Sequence, residues 1–564
     1  MKQSIILSYL TGSLLLLGAV SCKKEFGKAN TNPSVVTVPD VKFLLTYSEN
    51  KLITYQGTEW VWESLEQLFR FTQHVTTSPY EITGNVNSRY NAYYADVLPN
   101  LFEIRRQIAS KADKDSYGKM GAITYILQVL QGIKVTDMNG SIPYSQAEQG
   151  RYLKNFSPVY DAQQDLFPSW LKQLDSVISV LANGTLPTQQ SYGTSDIYYG
   201  SDWTKWIKLA NTLKLRIAAR LEKRDAAKTS AIFKAVMTDP TGPITTDDAQ
   251  MSYQNKDYLP FGTGGDINYR SIRYGTRPII NFLKSANDPR LPIYFEKNDL
   301  QGSFKDTLTK YGVSLPAFID PADPLIAYQG GPADWTTDPV TAAYISNAFA
   351  VTGSSTKYFL ISPINRKFFS PRYNGATSGI STEIPVSNAE SCLLIAEFIQ
   401  KGYGVGIDTK GTAEDWYRKG ITSSITTMNN MAIASGSSTG YSGDGSTEIG
   451  NYLDNPKIAF NGVNDLERIY IQEFLNFYRN GNEAFVFCRR TGYPKTGSSY
   501  YPREVFNETI PRRWWTSDPG EVNRANWNEA LSAQGFTPLA QDLPSLSTQR
   551  IWYDNGAPAF GAGN

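Results

Sequence analysis

The segment SDWTKWIKLANTLKLRIAARLEKRD (201–225) sets Trp203, Ile207, Ala210, Leu213, Ile217 and Leu221 three or four residues apart. That spacing lines one face of an α-helix and fits no strand. Ser201 or Asp202 can cap its start, and Lys and Arg gather in the last turn, where the helix dipole favours cations. SWLKQLDSVISVLANG (169–184) repeats the pattern and is expected to stop at Gly184 in a left-handed turn. SYGKMGAITYILQVLQGIKVTDMNG (116–140) gives a third helix ending in an Asn-Gly turn, and two earlier ones are expected at Trp60–Phe71 and Arg89–Ser110. Successive helices of this length with short polar joints read as stacked antiparallel pairs.

Between about Asp239 and Thr382 the texture changes. YLPFGTGGDINYR (258–270), IDPADPLIAYQGGPADWTTDPV (319–340) and SPRYNGATSGIST (370–382) are dense in turn-forming residues, and only TRPIINFLKSAND (276–288) reads as a helix. A stretch this long without regular pattern is usually functional, and its aromatic content argues against disorder. Helices return with NAESCLLIAEFIQKG (388–402), whose Ala389, Leu393 and Ala396 share a face, and with TAEDWYRKGITSSITTMNNMA (412–432). NDLERIYIQEFLNFYRNGNEAFVFCRRTGYP (464–494) then gives a helix, a break, a shorter helix and a proline stop. The fold class is mainly α with one large loop-rich insertion.

The N-terminus reads as an export signal: Lys2, an apolar run from Ile5 to Val20, and small residues before Cys22. The run falls short of the ~20 apolar residues of a bilayer crossing. GAVSC (18–22) resembles a bacterial lipobox, in which the cysteine carries lipid, so residues 1–21 are expected to be a lipoprotein signal peptide and Cys22 the lipid attachment site. Two or more acyl chains hold a protein stably on a membrane. Residues 22–40 are polar and read as a flexible tether. Cys392 and Cys488 sit in apolar helical patterns and are expected to be buried free thiols. With 54 basic and 53 acidic residues the formal net charge is +1, which supplies no field for nucleic acid.

Six segments, in this order, carry a resemblance: NGSIPYSQA (139–147), IYYGSDWTKWIKLANTLKLRIAAR (197–220), FLKSANDPRLPIY (282–294), NAESCLLIAEFIQKG (388–402), NGNEAFVFCRRTGYP (480–494) and IPRRWW (510–515). With the lipobox ahead of them, the chain resembles the SusD/RagB lipoproteins of Bacteroidetes, in the branch called SusD-like 2. The resemblance implies tetratricopeptide-like helix pairs in residues 41–238, a loop-rich subdomain at 239–384 forming the ligand face, and a C-terminal helical part and wrap at 385–564. It also implies a surface lipoprotein without catalytic residues, lipid-anchored in the outer membrane and facing the cell exterior. Such a protein captures nutrients, commonly glycans, and caps a SusC-like TonB-dependent transporter.

The residues themselves exclude several chemistries. His74, in RFTQHVTTS (70–78), is the only histidine, which removes Ser-His-Asp and Cys-His machinery unless His74 itself serves. One histidine and two buried thiols make no zinc site. GTGGD (262–266) and GDGS (443–446) lack the strand, helix and lysine of a phosphate loop, and GYSGDGSTEIG (440–450) lacks the spacing of an EF-hand for calcium. No cofactor or metal is expected. Arg512 and Arg513 in IPRRWWTSDP (510–519) are expected to be buried against backbone carbonyls.

The 35 Tyr and 11 Trp are the remaining signal. An aromatic ring offers an apolar face to a sugar's C–H side, while Tyr OH and Trp N–H bond its hydroxyls. Trp60, Trp170, Trp206 and Trp416 lie in helical patterns and are expected in the core. TTSPYEITGNVNSRYNAYY (76–94) reads as a loop between helices carrying Tyr80 and Tyr90, and GGPADWTTDP (330–339) presents Trp335 between turn residues. Tyr80, Tyr90 and Trp335 are the candidate ligand contacts. Tyr258, Tyr328 and Tyr373 share the irregular region, and Asn87, Arg89, Asp334 and Arg372 stand near as hydrogen-bonding partners. The reading is a glycan-binding lipoprotein delivering ligand to a transporter. Its rivals are a lipid-anchored glycoside hydrolase using two carboxylates and a scaffold lipoprotein that binds no ligand.

Overall fold

A computed structural model describes residues 39–52, 59–77, 87–255, 273–371, 379–539 and 542–564. Cys22, Tyr80, Tyr258, Arg372 and Tyr373 lie outside the described residues. In the N-terminal part, α1 (Val41–Asn50) packs on α2 (Leu98–Ala109), α3 (Gly118–Asn139) on α4 (Gln163–Ala182), α4 on α5 (Trp203–Leu221) and α5 on α6 (Ala226–Thr238). This is the expected run of stacked pairs. Asp202 is the N-cap of α5 and accepts from Lys205 N at 3.1 Å.

Three local expectations are adjusted. The stretch from Trp60 to Phe71 is a π-helix over Glu59–Leu68 with one α-turn at Phe69–Phe71. Residues Ser88 to Ala109 are continuously helical, with a π-turn at Tyr93–Val97. That wider turn sits just ahead of Pro99, which has no N–H and whose ring crowds the carbonyl four residues back. Helix α4 stops at Ala182 rather than at a left-handed Gly184: Asn183 is extended and its Oδ1 accepts from Thr185 N at 2.8 Å, so an Asx turn ends the helix. By contrast α3 closes on Gly140 (φ 76°), where a Cβ would meet the Gln534 side chain at 2.0 Å.

The middle holds more regular structure than expected. Strand β1 (Met251–Asn255) pairs antiparallel with β2 (Ser381–Val386), joining the two ends of the region. Besides α7 (Arg277–Ser285) there are helices at Phe304–Tyr311 and Pro339–Ser346. Both span about two turns, too short for an apolar period to register. The second begins at an Asp-Pro step that reads as a turn, yet Asp338 accepts from Thr341 N at 3.0 Å and Pro339 occupies the first helical position. Leu300, Phe304, Leu308, Ile319, Val351 and Leu360 form a small core of their own.

The C-terminal part comprises α8 (Asn388–Gln400), α9 (Ala413–Ser435), α10 (Asp465–Asn476) and α11 (Gly481–Thr491). Helix α8 lies against α9 and α10, and Thr412 and Asp415 form a reciprocal capping box on α9. Trp60, Trp170, Trp206 and Trp416 are buried, and Cys392 and Cys488 are buried and free. Arg512 donates to Asp554 and to the carbonyls of Arg489 and Pro558, while Arg513 donates to Gln549 and the Trp514 carbonyl. Among the described residues no helix is long and apolar enough to cross a membrane.

Buried ion pairs clamp the two helical parts together. Arg220 of α5 holds Asp137 of α3 at 2.8 Å and Glu483 of α11 at 2.9 Å, and Tyr553 donates to Asp137 at 2.6 Å. Arg216, one turn earlier, grips Glu390 of α8 at 2.7 Å. Arg490 of α11 reaches Glu397 of α8 at 2.6 Å and Glu473 of α10 at 3.1 Å. Burial alone would raise both carboxyls; Arg490 and Lys401 outweigh it at Glu397 and hold it below the usual range, while Glu473, beside Glu397, is pushed well up.

Candidate functional site

Trp335 sits on a loop fixed at both ends. Arg277 N donates to Gly331 O at 2.7 Å, and a Cβ on Gly330 would come within 2.4 Å of the Arg277 backbone, so the strands approach this closely only over glycine. Thr76 Oγ1 donates to Pro332 O, Ala333 N donates to Glu504, and Asp334 accepts from Thr336 N and Asn507 N. Trp335 donates its Nε1–H to Thr76 Oγ1 at 2.9 Å and packs beside Tyr274, Ile345 and Ile361. The indole is half-buried. Its N–H is spent within the protein.

Tyr90 falls in the expected Arg89–Ser110 helix and not in the loop reading of residues 76–94. It belongs to the helix Ser88–Ala92 rather than to a loop, half-buried, with Tyr94 at 4.6 Å between ring centroids and Tyr160 beside its hydroxyl. Burial and then Tyr160 push its phenol well above the ordinary value. No contact joins Tyr90 to Trp335 among the described residues. The polar neighbours are engaged in structure: Asn87 donates to Trp515 O, Arg89 is buried against Glu63 and Asn482, and Asp334 caps its own turn. Tyr328 is buried.

His74 is fully buried and stacks on Phe474 at 3.8 Å; its Nε2 donates to Phe474 O at 2.8 Å and its Nδ1 faces Thr72 Oγ1 at 2.7 Å. Burial pushes its pKa down to about 3, so the ring is neutral. It is a core residue with both nitrogens engaged.

The structure also contains a cavity of about 100 Å³, lined by both apolar and polar side chains, where the three parts of the chain meet. Helix α3 contributes Leu130 and Lys134, β2 contributes Thr382 and Glu383, α9 contributes Thr427 and Met428, and the α10–α11 junction contributes Phe477 and Asn480. Glu383 lies 3.9 Å from Arg479, but burial dominates and pushes its carboxyl up to about 8. Nothing in the sequence pattern announced this cavity, because its lining comes from segments more than 300 residues apart.

Several solved structures share this fold. A chitin-binding protein matches with a TM-score of 0.67 and 23% identity, covering 91% of this chain and 100% of its own. A chitin-binding SusD homolog from Flavobacterium johnsoniae matches with a TM-score of 0.61 and 18% identity, over 92% of this chain and 99% of its own. A SusD homolog from Bacteroides fragilis gives 0.63 and 21% over 92% and 99%. No curated protein matches the chain in sequence. A helical frame bearing a loop-rich middle is therefore the architecture of the SusD/RagB class. Within it, the chain belongs to the SusD-like 2 family, described as "Starch-binding associating with outer membrane", whose model matches residues 33–319 and 334–515.

Proposed function

We propose that this chain is a non-catalytic, glycan-binding nutrient lipoprotein, anchored in the outer membrane through lipid on Cys22 and facing the cell exterior. It hands its ligand to a SusC-like TonB-dependent transporter. The observation that carries the binding role is Trp335: an indole whose N–H is already bonded, on a loop pinned at Gly331, Ala333 and Asp334, presents a ring face without further ordering cost. Family membership and chitin-binding relatives of the same fold support a carbohydrate as ligand. Tyr80 and Tyr90 are assigned as further contacts, Tyr90 through its half-buried ring. Residues 41–238 and 385–564 serve as the frame and 239–384 as the ligand face.

Affinity electrophoresis in gels containing soluble starch or glycol chitin tests the reading. Retardation by one polysaccharide, weakened in Trp335→Ala, is expected. Equal mobility of both proteins in every gel would favour the scaffold alternative.

A further inference from the structure

We propose that the loop Arg151–Phe156, with Val522 beside it, is a surface that lies against a lipid bilayer carrying anionic head groups. This rests on the anchor proposed at Cys22 and adds to it a defined face turned toward the membrane.

Large apolar side chains gather here in the open. Tyr152, Leu153, Phe156 and Val522 are between 50% and 69% exposed. The four-residue helix Gly150–Leu153 ends at Lys154 in the left-handed conformation. The chain then turns back, and the Phe156 ring lies over Gly150, where a Cβ would meet it at 3.3 Å. Ser157 donates to Val522 O at 2.6 Å, which sets the valine next to the same loop. Single exposed apolar residues are ordinary on a protein surface, but a cluster marks an interaction site. Arg151 and Lys154 are exposed at its edge and make no ion pair among the described residues, whereas Glu103 is paired with Arg106 and Asp518 with Arg524. Surfaces that lie in a membrane interface combine apolar side chains with such cations, which meet anionic head groups. One exposed acid, Glu521, adjoins Val522 and weakens that attraction without cancelling it.

The position of the patch selects the partner. Pro39 is the first described residue, and its carbonyl accepts from Gln107 Nε2 at 3.2 Å. Gln107 also donates to Glu103 at 3.0 Å, and Glu103 accepts from the Tyr152 hydroxyl at 2.9 Å. Three hydrogen bonds in series therefore join Pro39 to the patch. Pro39 lies 17 residues beyond Cys22. A flexible chain of that length spans about 20–25 Å, less than half the ~60 Å width of a compact chain of this size. An anchored molecule thus turns the side bearing Pro39 toward the bilayer, and the patch is on that side.

Fluorescence quenching from within the bilayer is the test. The chain from residue 22, with Cys22→Ser and a hexahistidine extension ahead of it, is held on vesicles of phosphatidylcholine, phosphatidylglycerol and nickel-chelating lipid. A fluorophore is attached at Leu153→Cys or, for comparison, at Val463→Cys, an exposed site in the C-terminal part. Cys392 and Cys488 are buried and take no label. Phospholipid spin-labelled in its acyl chain should quench position 153 at least twofold and leave position 463 nearly unchanged. Phe156→Ser together with Val522→Ser should halve the quenching at 153 while leaving the unfolding temperature unchanged, since both side chains are exposed. Absence of quenching at 153 would overturn the surface and favour a protein as its occupant; equal quenching at both positions, or full quenching in the folded double serine variant, would also overturn it. The mass of the exported chain reports lipid on Cys22 separately, so a failed anchor and a failed surface are told apart.

Discussion

The C-terminal helices and the stretch from 239 to 384 differ in how much of their polar bonding is local. In the helices the decisive bonds span the chain: Arg220 reaches Glu483, and Arg490 gathers Glu397 and Glu473 from separate helices. In the middle, bonds to distant residues such as Thr76, Glu504 and Asn507 are joined by a series of short-range ones. Asn298 accepts from Leu300 N, Asp320 from Ala322 N, Asp323 from Leu325 N and Asp334 from Thr336 N, each two residues on. Long-range buried pairs fix where helices stand relative to one another, while Asx turns fix only the local path of a loop. A two-residue turn of this kind can be rewritten without disturbing the ion pairs that hold the helices.

The largest effect should come from breaking the frame. Arg490→Met takes the arginine partner from Glu473 and leaves Glu397 with Lys401, and the loss in chemical denaturation should be about 3–5 kcal/mol, the range for one partner removed from a buried pair. A loss below 1 kcal/mol would erase the distinction between the two regions. Next is pH. Glu383 has a folded pKa of about 8 against an ordinary carboxyl value, so its contribution is fully present below about pH 4.5 and is lost as pH rises toward 8. Glu383→Gln should flatten that part of the stability profile. His74 works in the other direction. With a folded pKa near 3, its contribution holds above about pH 6.5 and is lost as pH falls toward 3; His74→Gln should reduce the acid-side slope in the same unfolding series.

Smaller still, Trp335→Ala should cost glycan affinity about 1.5–3 kcal/mol, the value of one apolar ring surface, read as at least a tenfold rise in dissociation constant. The smallest change belongs to a half-buried arginine of the middle region. Arg277→Ala removes contacts to Asp338 and Glu504 that are about one-third open to solvent, and the loss should stay within about 1 kcal/mol.

Much of the frame was legible. The three-and-four spacing in 201–225 placed α5, and the cap at Asp202 followed from side-chain chemistry. The same segment also misleads, since Arg220 reads as a last-turn cation serving the helix dipole, whereas it and Arg216 are buried in ion pairs with other helices. Periodicity reports which face is apolar, not which cation finds a carboxylate 263 residues away. The short helices at 304–311 and 339–346 escaped for want of turns. Trp335 was legible as an aromatic among turn residues, but the bond to Thr76 that orients it was not. The cavity was invisible, because its lining is assembled from segments far apart in the chain.

The central claim is that this protein holds glycans without cutting them. The direct measurement incubates the purified chain with the polysaccharide that retards it, following bound fraction and new reducing ends in the same samples. The account predicts saturable binding, weakened at least tenfold in Trp335→Ala, with reducing ends no higher than in a protein-free control. Reducing ends that rise in proportion to protein concentration would contradict it.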